Sequence, residues 1–411
     1  MCTFANSGKE YEEFSLRDNI KVLHISTGHD GGAGIAARRL NASLNKFGMN
    51  SIFVSLSNNS YKPSGNEIAI ERNWVQKIAS AVSARLQSRL SKAFFFSLYS
   101  FDVLSVRKIK KIVGKSPTVL HIHNWFNMIN QKKIAKLLKI GFPVVITLHD
   151  ERFYTGGCHH AFECKGFVHD CSNCPQITSL FNYFPARNLS KSLSDFQNHD
   201  KTLQVIAPSM WIFNRARSSQ LLRSHKIHFI PNTLDEFGQL KTKRRFPNLV
   251  NPKIIGIANV DLNSHLKGAD IVKGLQERID SDSLDYRLVF LNSDMFKEKS
   301  QSDFWEMIDV LLVPSRADNS PNIIHEAKLM GIPVIASMVG GITELLDPKF
   351  DEPIPVQNLD ADSILRLLKN WKTRNRVLNL KKMQSNFEAY IGNPIQDHIS
   401  LYVKLVSSQN S

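Results

Sequence analysis

The segment that most constrains the fold is residues 309–344, which has the pattern of a strand, a helix and a second strand. Residues 310–313 are a short apolar run that stops at Pro314, as a buried parallel strand does, and residues 334–336 are a second such run. Parallel strands joined by a helix indicate an open α/β sheet. Ligands of such sheets bind at the carboxyl ends of the strands, beside helix N-termini, so we expect a binding site in the loop after residue 313.

The helix in this segment has signals at both ends. Ser320 is predicted to be the N-cap residue and Pro321 the first helical residue, because both residue types are favoured at those positions. Gly331 follows the last helical residue and Pro333 comes two residues later, which is how helices end. The helix therefore starts directly after the polar loop 314–320.

Two carboxylates stand at this predicted edge of the sheet. Asp318 lies in the loop, and Glu326 lies eight residues later, on the second turn of the helix. A carboxylate in the first turns of such a helix can accept hydrogen bonds from a ribose diol. The first backbone amides, those of Asn322 and Ile323, face any anion at the helix tip. An ordinary surface helix can also carry such a glutamate without binding a ligand.

The order of motifs in this region resembles the donor-site signature of retaining glycosyltransferases of family 4. The matching motifs are D-x7-E, an Asn-Ser-Pro-Asn loop, E-A-x3-G-x-P-V-I-A and V-G-G-I-x-E. The resemblance places Asp318 and Glu326 at the two acidic positions of the family's E-x7-E motif, with aspartate in place of the first glutamate. It implies that Glu326 holds the ribose of a nucleoside diphosphate sugar, and that Asp318, with the loop at Ser320, holds the donor hexose.

A second phosphate-binding element is predicted near the start of the chain. Residues 21–26 read as a strand, residues 28–34 as a glycine-rich turn, and a helix follows to about residue 47. Such an arrangement brings backbone amides close to a phosphate, although a glycine turn is nearly as often only a tight turn. The family resemblance implies that Gly31 and Gly32 face the donor diphosphate.

Two further predicted strands, 119–123 and 143–148, end in or just before a histidine, His123 and His149. A lone histidine at a strand end is usually structural, but two at the edge where ligands bind favour a site. The T-L-H-D sequence around His149 resembles the family histidine that touches the donor sugar. His123 is assigned to the acceptor side.

A cation for the donor phosphates is predicted at Lys267, in a Lys-Gly pair after the strand 253–258. Lysine is a mobile point charge that suits a phosphate. The related family usually has an arginine as well in this region, but none occurs between Gly256 and Lys267. Either His265 or an arginine of the first domain is then expected to replace it.

The fold predicted from these elements is α/β, with two Rossmann-like domains facing across a cleft, which is the GT-B arrangement. The C-terminal helix is expected to cross back to the N-terminal domain. The predicted divisions are a leader (1–20), an N-terminal acceptor domain (21–235) with a cysteine-rich insert (156–176), a linker (236–252), a C-terminal donor domain (253–375) and C-terminal helices packing on the first domain (376–411).

The net charge of +15 is confined to the first half of the chain. Residues 1–235 hold 30 of the 52 Lys and Arg residues but only 15 of the 37 Asp and Glu residues, and the remainder of the chain is balanced. Such a field indicates an anionic partner, which could be a phospholipid surface, a nucleic acid or a phosphorylated acceptor, or it is only a basic soluble surface. Residues 74–104 are basic and amphipathic, which fits either a helix on an anionic membrane or a helix of the core.

Four of the five cysteines lie within seventeen residues, among several histidines: Cys158, Cys164, Cys171 and Cys174. Four thiolates, or three thiolates and an imidazole from His159, His160 or His169, can enclose a zinc ion, and C-x2-C at the second pair is a common chelating half-site. The C-x5-C spacing of the first pair is longer than usual. Free thiols, or two disulfides in an oxidising compartment, are the alternatives.

The function indicated is transfer of a hexose from a nucleoside diphosphate sugar to a hydroxyl of a saccharide acceptor, with retention of the anomeric configuration. Catalysis is expected to need no cofactor, and the only metal expected is a structural zinc. The resemblance implies cell-surface polysaccharide or lipopolysaccharide synthesis with a lipid-linked acceptor. The chain shows no secretion signal and no apolar run of membrane length, so we expect a cytoplasmic enzyme, peripheral on the inner face of the membrane.

Three alternative functions remain at this point. A nucleotide-sugar epimerase or a phosphorylase shares the same fold, and a basic zinc-containing protein that binds nucleic acid belongs to another class. The last would show steeply salt-dependent affinity for DNA or RNA but would leave the donor-site motifs without a role. We therefore expect no nucleic-acid partner.

Overall fold

The computed structural model of the chain describes residues 19–57, 62–90, 103–178, 181–234, 253–258, 264–291, 301–371 and 380–408. The chain divides into two compact units: the first comprises Met1–Thr233 and Asn393–Ser411, and the second is Leu234–Gly392. The predicted linker lies outside the described residues, as does the predicted leader up to residue 18. The last leader residue, Ile20, is buried in the core of the first unit.

The described part of the first unit contains a parallel sheet of seven strands in the order β3-β2-β1-β4-β5-β6-β7. Each strand is an apolar or β-branched run, most of them buried on both faces, as a sheet covered by helices requires. The strands are β1 (Lys21–Ser26), β2 (Asn50–Leu56), β3 (Glu67–Ile70), β4 (Thr118–Asn124), β5 (Val144–Thr147), β6 (Leu203–Ala207) and β7 (Ile227–Phe229).

The helices of this unit follow the strands, and most of them bury apolar side chains in the core that covers the sheet. They are α1 (Gly31–Lys46), α2 (Trp74–Leu90), α3 (Val106–Val113), α4 (Gln131–Lys139), α5 (Tyr183–Phe196) and α6 (Met210–Ser218). Side-chain caps fix several of their starts: Ser105, Asn130 and Ser209 each accept a hydrogen bond from a backbone N–H of the first turn.

The second unit contains a parallel sheet of five described strands in the order β12-β11-β10-β8-β9. The strands are β8 (Ile254–Ile257), β9 (Arg287–Phe290), β10 (Val310–Val313), β11 (Val334–Ser337) and β12 (Glu352–Ile354). The helices are α7 (Ala269–Ser281), α8 (Gln301–Met307), α9 (Asn322–Leu329), α10 (Ile342–Leu345), α11 (Ala361–Lys369) and α12 (Leu380–Ile391).

Both sheets reverse their strand order at one point, between β1 and β4 in the first unit and between β8 and β10 in the second. The loops that leave neighbouring strands diverge there, which opens a crevice at the carboxyl edge of an α/β sheet. The prediction of an α/β fold with two parallel sheets is therefore confirmed. The two reversal points mark where a ligand site is expected in each unit.

The last helix, α13 (Pro394–Ser407), belongs to the first unit although the whole second unit precedes it in the chain. Tyr402 is fully buried, and this helix packs against β4 and α1. The structure corrects the expectation that all of residues 376–411 pack in this way. Helix α12 belongs to the second unit, where Phe387 joins the core and Gln384 donates to the backbone carbonyl of Leu329 at 2.6 Å.

The helix α2 covers the first part of the basic amphipathic segment, and four of its described apolar side chains are exposed. Trp74 is 74% exposed and Val82 62% exposed, with Val75 and Ile78 also more than half exposed. The interpretation of the apolar stripe of this helix as core is therefore wrong for its members Trp74, Ile78 and Val82. Residues 91–102, with the run of three phenylalanines, lie outside the described part of the chain. No helix among the described residues is both long and apolar enough to cross a membrane.

Candidate functional site

The second unit brings two of the predicted site residues into direct contact at its reversal point. Lys267 ends a single 3₁₀ turn after β8, and Asp318 lies in the loop after β10. Their ammonium and carboxylate groups form an ion pair. The lysine side chain is 37% exposed and the aspartate side chain 14% exposed, so the cation is the more accessible partner.

Glycines allow these loops to approach each other closely. A Cβ at Gly340 would lie 1.9 Å from the backbone oxygen of Asp318, and this glycine has a positive φ of 53°. Gly268, with φ at 75°, would place a Cβ 2.2 Å from the backbone oxygen of Pro314. Because only glycine fits both positions, the V-G-G and K-G sequences set the position of the Lys267–Asp318 pair.

Arg316 supplies a second cation to this cluster that the sequence does not predict. Its guanidinium donates to both carboxylate oxygens of Asp270 at 2.7 Å and to the backbone carbonyl of His265 at 2.7 Å. The Arg316 side chain holds the pKa of Asp270 below its usual value. The sequence predicts that His265 or an arginine of the first domain replaces the missing arginine near Lys267. Within the second unit, the arginine near Lys267 is Arg316, which comes from the loop after β10.

The start of α9 differs from the prediction. The helix begins at Asn322, and Pro321 is the cap residue, with an extended backbone and no side-chain cap. The Ser320 hydroxyl lies 3.0 Å from Nε2 of the buried His325, so the predicted N-cap role of Ser320 is wrong. Asn322 and Ile323 are the first two helical residues, so their backbone N–H groups cannot join the regular hydrogen bonds between turns of the helix. That these N–H groups bind an anion at the helix tip stays a prediction.

Glu326 lies on the second turn of α9, as predicted, but it is only 3% exposed. It is therefore far less accessible than Lys267. A ribose would have to reach it from the loop side, where Asp318 lies. Its role in ribose binding stays a prediction.

In the first unit, the two predicted histidines are part of a hydrogen-bonded chain of three. Nδ1 of His123 lies 3.1 Å from Nε2 of His149, and Nε2 of His123 lies 3.0 Å from Nδ1 of His24. His24 is fully buried and His123 is 5% exposed, whereas His149 is partly exposed at the carboxyl end of β5. The chain runs from the interior of the sheet to its carboxyl edge.

The burial of this chain selects one arrangement of protons. Nε2 of His24 is buried and has no hydrogen-bond partner among the described residues. A proton there would leave a buried N–H unpaired, which is the costly alternative. The favoured arrangement therefore has His24 donating from Nδ1 to His123 and His123 donating from Nδ1 to His149. Because Nε2 of His149 then accepts, its own proton sits on Nδ1.

Burial also keeps these imidazoles neutral at pH 7. It lowers the pKa of His24 to about 3 and that of His149 to about 4, and it lowers the pKa of His123 well below 6.5. The carboxylate of Asp150 acts in the opposite direction on His149 but does not prevail. His149 therefore serves as a neutral hydrogen-bonding group and not as a cation.

His121 ties the same cluster to the C-terminal helix. Its Nδ1 lies 2.7 Å from the hydroxyl of Tyr402 on α13, and its Nε2 lies 2.7 Å from the Thr147 hydroxyl. The ring centroids of His121 and His123 lie 4.0 Å apart, with the ring planes tilted by 33°. Sequence reasoning missed His24 and His121, although the tripeptide Leu-His-Ile occurs in both β1 and β4, and the sheet register pairs the two histidines.

The predicted glycine turn lies after β1 at the same edge of the first unit. Gly31, with φ at 70°, is the first residue of α1, and Gly32 is exposed. A Cβ at either position would meet nothing within 4 Å. The tight packing of this turn belongs instead to Gly34, where a Cβ would lie 2.6 Å from the backbone oxygen of Gly28. Whether Gly31 and Gly32 face a diphosphate stays a prediction.

The four clustered cysteines form no disulfide with one another and line one small pocket in the loop between β5 and α5. Cys158, Cys171 and Cys174 are buried, and Cys164 is partly exposed. A hydrogen bond from Cys158 lowers the pKa of Cys174 to about 7, and the same bond together with burial raises the pKa of Cys158 well above its usual value.

Each unit thus collects its own predicted residues: Lys267 with Asp318 in the second, and His123 with His149 in the first. The two groups differ in chemistry. The second unit offers exposed charge and a helix N-terminus, which suit a phosphorylated ligand. The first unit offers neutral hydrogen-bonding groups, which suit hydroxyls.

Comparison with known proteins finds similarity to glycosyltransferases. Residues 242–370 match the family model described as glycosyl transferases group 1, and this range contains Lys267, Asp318 and Glu326. The putative colanic acid biosynthesis glycosyl transferase WcaC of Escherichia coli strain K12 is 24% identical over 363 residues, which cover 80% of this chain and 85% of that protein.

Solved structures share the architecture over nearly the whole chain. Sucrose-phosphate synthase from Thermosynechococcus elongatus matches with a TM-score of 0.59 at 15% identity, covering 94% of this chain and 99% of that one. Anabaena HepE in complex with UDP-glucose matches with a TM-score of 0.54 at 15% identity, again covering 94% and 99%. The family match and the shared fold together support a glycosyltransferase with the GT-B fold.

Proposed function

We propose that this protein transfers a hexose from a nucleoside diphosphate sugar to a hydroxyl of a saccharide acceptor, with retention of the anomeric configuration. The observation that carries the proposal is the Lys267–Asp318 ion pair at the reversal point of the second sheet. It joins the accessible cation and the carboxylate that the donor-site motif predicts, inside the range matched by the family model.

In the proposed reaction, the bond from the anomeric carbon to the diphosphate oxygen breaks and a bond to the acceptor oxygen forms on the same face. The hydroxyl proton passes to the departing phosphate oxygen. Lys267 stabilises the negative charge that develops on the diphosphate, which is electrostatic stabilisation by a preplaced cation. Neutral His149 hydrogen-bonds to the donor sugar, with His123 on the acceptor side.

The donor roles divide along the loop and the helix that follows it. Asp318, with the loop at Ser320, contacts the hexose, and Glu326 binds the ribose hydroxyls. The amides of Asn322 and Ile323 at the start of α9, and those of the Gly31-Gly32 turn, face the diphosphate. Support for a diphosphate sugar as donor comes also from HepE, a protein of similar fold whose structure holds UDP-glucose.

We further propose that the acceptor belongs to cell-surface polysaccharide or lipopolysaccharide synthesis and is carried on a lipid at an anionic membrane. The relative WcaC is named for colanic acid biosynthesis. The exposed apolar residues of α2, with Lys77 and Arg85 also exposed, form a surface suited to the membrane interface. The basic charge of the first half adds attraction of about 1 kcal/mol for each lysine or arginine near the surface.

Transfer is tested by incubating the purified protein with UDP- and GDP-hexoses, with and without saccharide acceptors. Nuclear magnetic resonance of the product reads its anomeric configuration. The expected result is an acceptor-dependent glycoside with the configuration of the donor. An epimerised nucleotide sugar made without an acceptor, or a product of inverted configuration, would contradict the proposal.

Membrane docking is tested by sedimenting the full chain with vesicles. It should pellet with anionic vesicles at low salt and be released at high salt, because exposed charges are screened. The double variant Trp74→Ala/Val82→Ala should bind more weakly, and Ile140→Ala, an exposed apolar residue on another element, should not. Equal binding of wild type to neutral vesicles, or no binding at all, would refute docking by charge.

A further inference from the structure

The loop between β5 and α5 is unusually long for a connection inside a compact unit. Among its described residues, regular structure is confined to the 3₁₀ turn Gly166–Val168. Loops of this length without their own secondary structure are uncommon and are usually functional or held by specific links. The four cysteines Cys158, Cys164, Cys171 and Cys174, here called the cysteine cluster, are the residues that come together in it.

The fold of the loop places these four thiols around one pocket. Cys171 and Asn173 adopt positive φ values of 56° and 53°, which side chains other than glycine rarely adopt. The C-x2-C pair is therefore wound into a tight turn, and all four cysteines line the same pocket. Positive φ at two non-glycine residues costs free energy, so the turn must be stabilised by something that these residues bind or contact.

Backbone donors surround the sulfur atoms. The N–H of Gly156 lies 3.3 Å from Sγ of Cys171, and the N–H of Gly166 lies 3.4 Å from Sγ of Cys164. N–H donors of this kind can also hydrogen-bond to a sulfur that binds metal. Cysteines that pack only as small apolar groups do not need N–H donors.

The loop is also anchored by one cation beside the cluster. Arg215 donates to the backbone carbonyls of Phe162 and Cys164, at 3.3 and 3.5 Å. Its Nε forms a 2.6 Å ion pair with the buried Glu151.

A second cluster offers a comparison. Among the described residues, His24, His121 and His123 have potential ligand atoms that all lie within 4.8 Å of one another. No three sulfurs of the cysteine cluster lie that close together, so the thiols are spread more widely than the imidazoles. Both ring nitrogens of His121 and of His123 already take part in hydrogen bonds, which a metal would break. The thiols have no such competing partners, apart from one another and the N–H donors, and binding would draw them inward to Zn–S distances of about 2.3 Å.

We propose that Cys158, Cys164, Cys171 and Cys174 bind one structural zinc ion in a tetrahedral all-cysteine site. Each thiol loses its proton to solvent as its sulfur binds the ion. The protein fills every coordination position, so the ion takes no part in sugar transfer.

The zinc site has a defined connection to the candidate functional site. The N–H of Glu151 donates to the backbone carbonyl of His159 at 2.9 Å, and the Glu151 carboxylate accepts from the N–H of Ala161 at 2.7 Å. The loop that holds the ion therefore fixes Glu151, two residues after His149. This positioning effect rests on the proposed function, whereas the binding of zinc does not.

The first experiment measures metal. The full chain is produced in medium with zinc, purified without chelators and analysed by elemental mass spectrometry. We expect close to one zinc per chain in the wild type and little in Cys171→Ser/Cys174→Ser. The control is Cys2→Ser, which changes the fifth cysteine and should keep the metal. A reduced wild-type protein that holds no zinc and takes up none on reconstitution would overturn the proposal.

The second experiment separates zinc from the other states of the thiols and stays informative if a serine variant fails to fold. Displacing the metal with a mercurial reagent should release one zinc as the clustered thiols react, read with a zinc-binding dye. Cys164→His, which keeps a zinc ligand, should retain the ion. An intact mass reduced by four hydrogens would reveal two disulfides instead, and thiols that react fast without a mercurial would reveal free cysteines. Either result would refute the site. Failure of zinc loss to alter kcat/KM would refute only the link to His149.

Discussion

The carboxyl edges of the two sheets have the same topology but opposite chemistry. The edge of the first unit holds neutral imidazoles that are buried and hydrogen-bonded to one another, from His24 to His149. The edge of the second unit holds charges, Lys267 with Asp318 and Arg316 with Asp270, that are partly exposed. Because the strand order reverses in both sheets, topology alone does not decide what a site binds. The side chains at the ends of the strands decide it.

The difference has an energetic basis. An ion pair at the surface keeps much of its hydration and can exchange a partner for a ligand at little cost. A buried imidazole that is held neutral is costly to charge but keeps a fixed hydrogen-bond direction. The first unit is therefore suited to orient hydroxyls, and the second to accept a phosphate charge.

The largest expected difference between the two edges is their response to acid. Burial lowers the pKa of His24 to about 3 and of His398 to about 4, and that of His121 well below 6.5. In the unfolded chain these imidazoles bind protons near pH 6.5. Between that pH and the lower pKa of the folded state, the unfolded state therefore holds more protons than the folded state does. Stability from neutral burial is complete above pH 6.5 and is lost as the pH falls, by on the order of 1 kcal/mol per pH unit for each histidine.

Hydrogen exchange measured by mass spectrometry at pH 7, 5.5 and 4.5 separates the two units after correction for the intrinsic exchange rate. Peptides from β1, β4 and α13 should lose protection on acidification before peptides from β10 and β11 do. Simultaneous loss of protection in both sheets would remove the distinction between a histidine edge and a charged edge.

The second expected effect is on turnover in the charged edge. Lys267→Ala should lower kcat by roughly 10²–10³-fold, since the removed cation stabilises charge that develops in the transition state. Lys273→Ala is the matched control, because that lysine lies on α7 with its side chain 80% exposed. Steady-state rates of transfer, measured with a saturating donor, give kcat for both variants and for the wild type. A wild-type rate for Lys267→Ala would mean that the charge of this edge does not act on the leaving group.

The third expected effect is on nucleotide affinity. Glu326→Ala should weaken binding of the nucleoside diphosphate by about 1.5–3 kcal/mol, the free energy of hydrogen bonds to a charged group. Isothermal titration calorimetry measures it, with Glu277→Ala on the exposed side of α7 as control. Because Glu326 is buried, thermal unfolding must show that the variant is folded before affinity is compared. Unchanged affinity would remove Glu326 from the donor site.

The smallest expected effect tests the hydrogen-bond chain of the first unit. His149→Ala should lower kcat/KM about tenfold, near the worth of one neutral hydrogen bond, whereas His199→Ala, in the turn after α5, should not. Long-range proton–nitrogen spectra of histidine-labelled protein at pH 7 should show His149 neutral with its proton on Nδ1. A proton on Nε2 would reverse the direction proposed for the chain.

The sequence was sufficient for the parallel strands, because apolar runs such as 203–207 and 310–313 are bounded by polar or proline-containing loops. It was not sufficient where two distant segments share a hydrogen bond. Arg316 lies 49 residues from Lys267, and only the crossing of two loops brings them together. The histidine pair His24 and His121 depends on the register of β1 against β4, which single-strand patterns do not contain.

Local rules also failed where a tertiary contact competed with them. Ser320 has the residue type of an N-cap, but its hydroxyl lies against His325 and the extended backbone of Pro321 starts the helix one residue later. The apolar stripe at Trp74 and Val82 has helical spacing, and α2 is indeed a helix. Spacing alone could not reveal that this stripe is exposed, because exposure depends on what packs against the helix.

The position of α13 has a consequence for how the protein is made. Its residues complete the core around β4 and hydrogen-bond His121 through Tyr402, yet the ribosome reaches them only after the 159 residues of Leu234–Gly392. At 5–20 residues per second, that delay is roughly ten to thirty seconds. During this time the nascent first unit has a sheet face that lacks its covering helix. The unit that is synthesised first is therefore completed last, and a fragment ending near residue 233 would lack part of its own core.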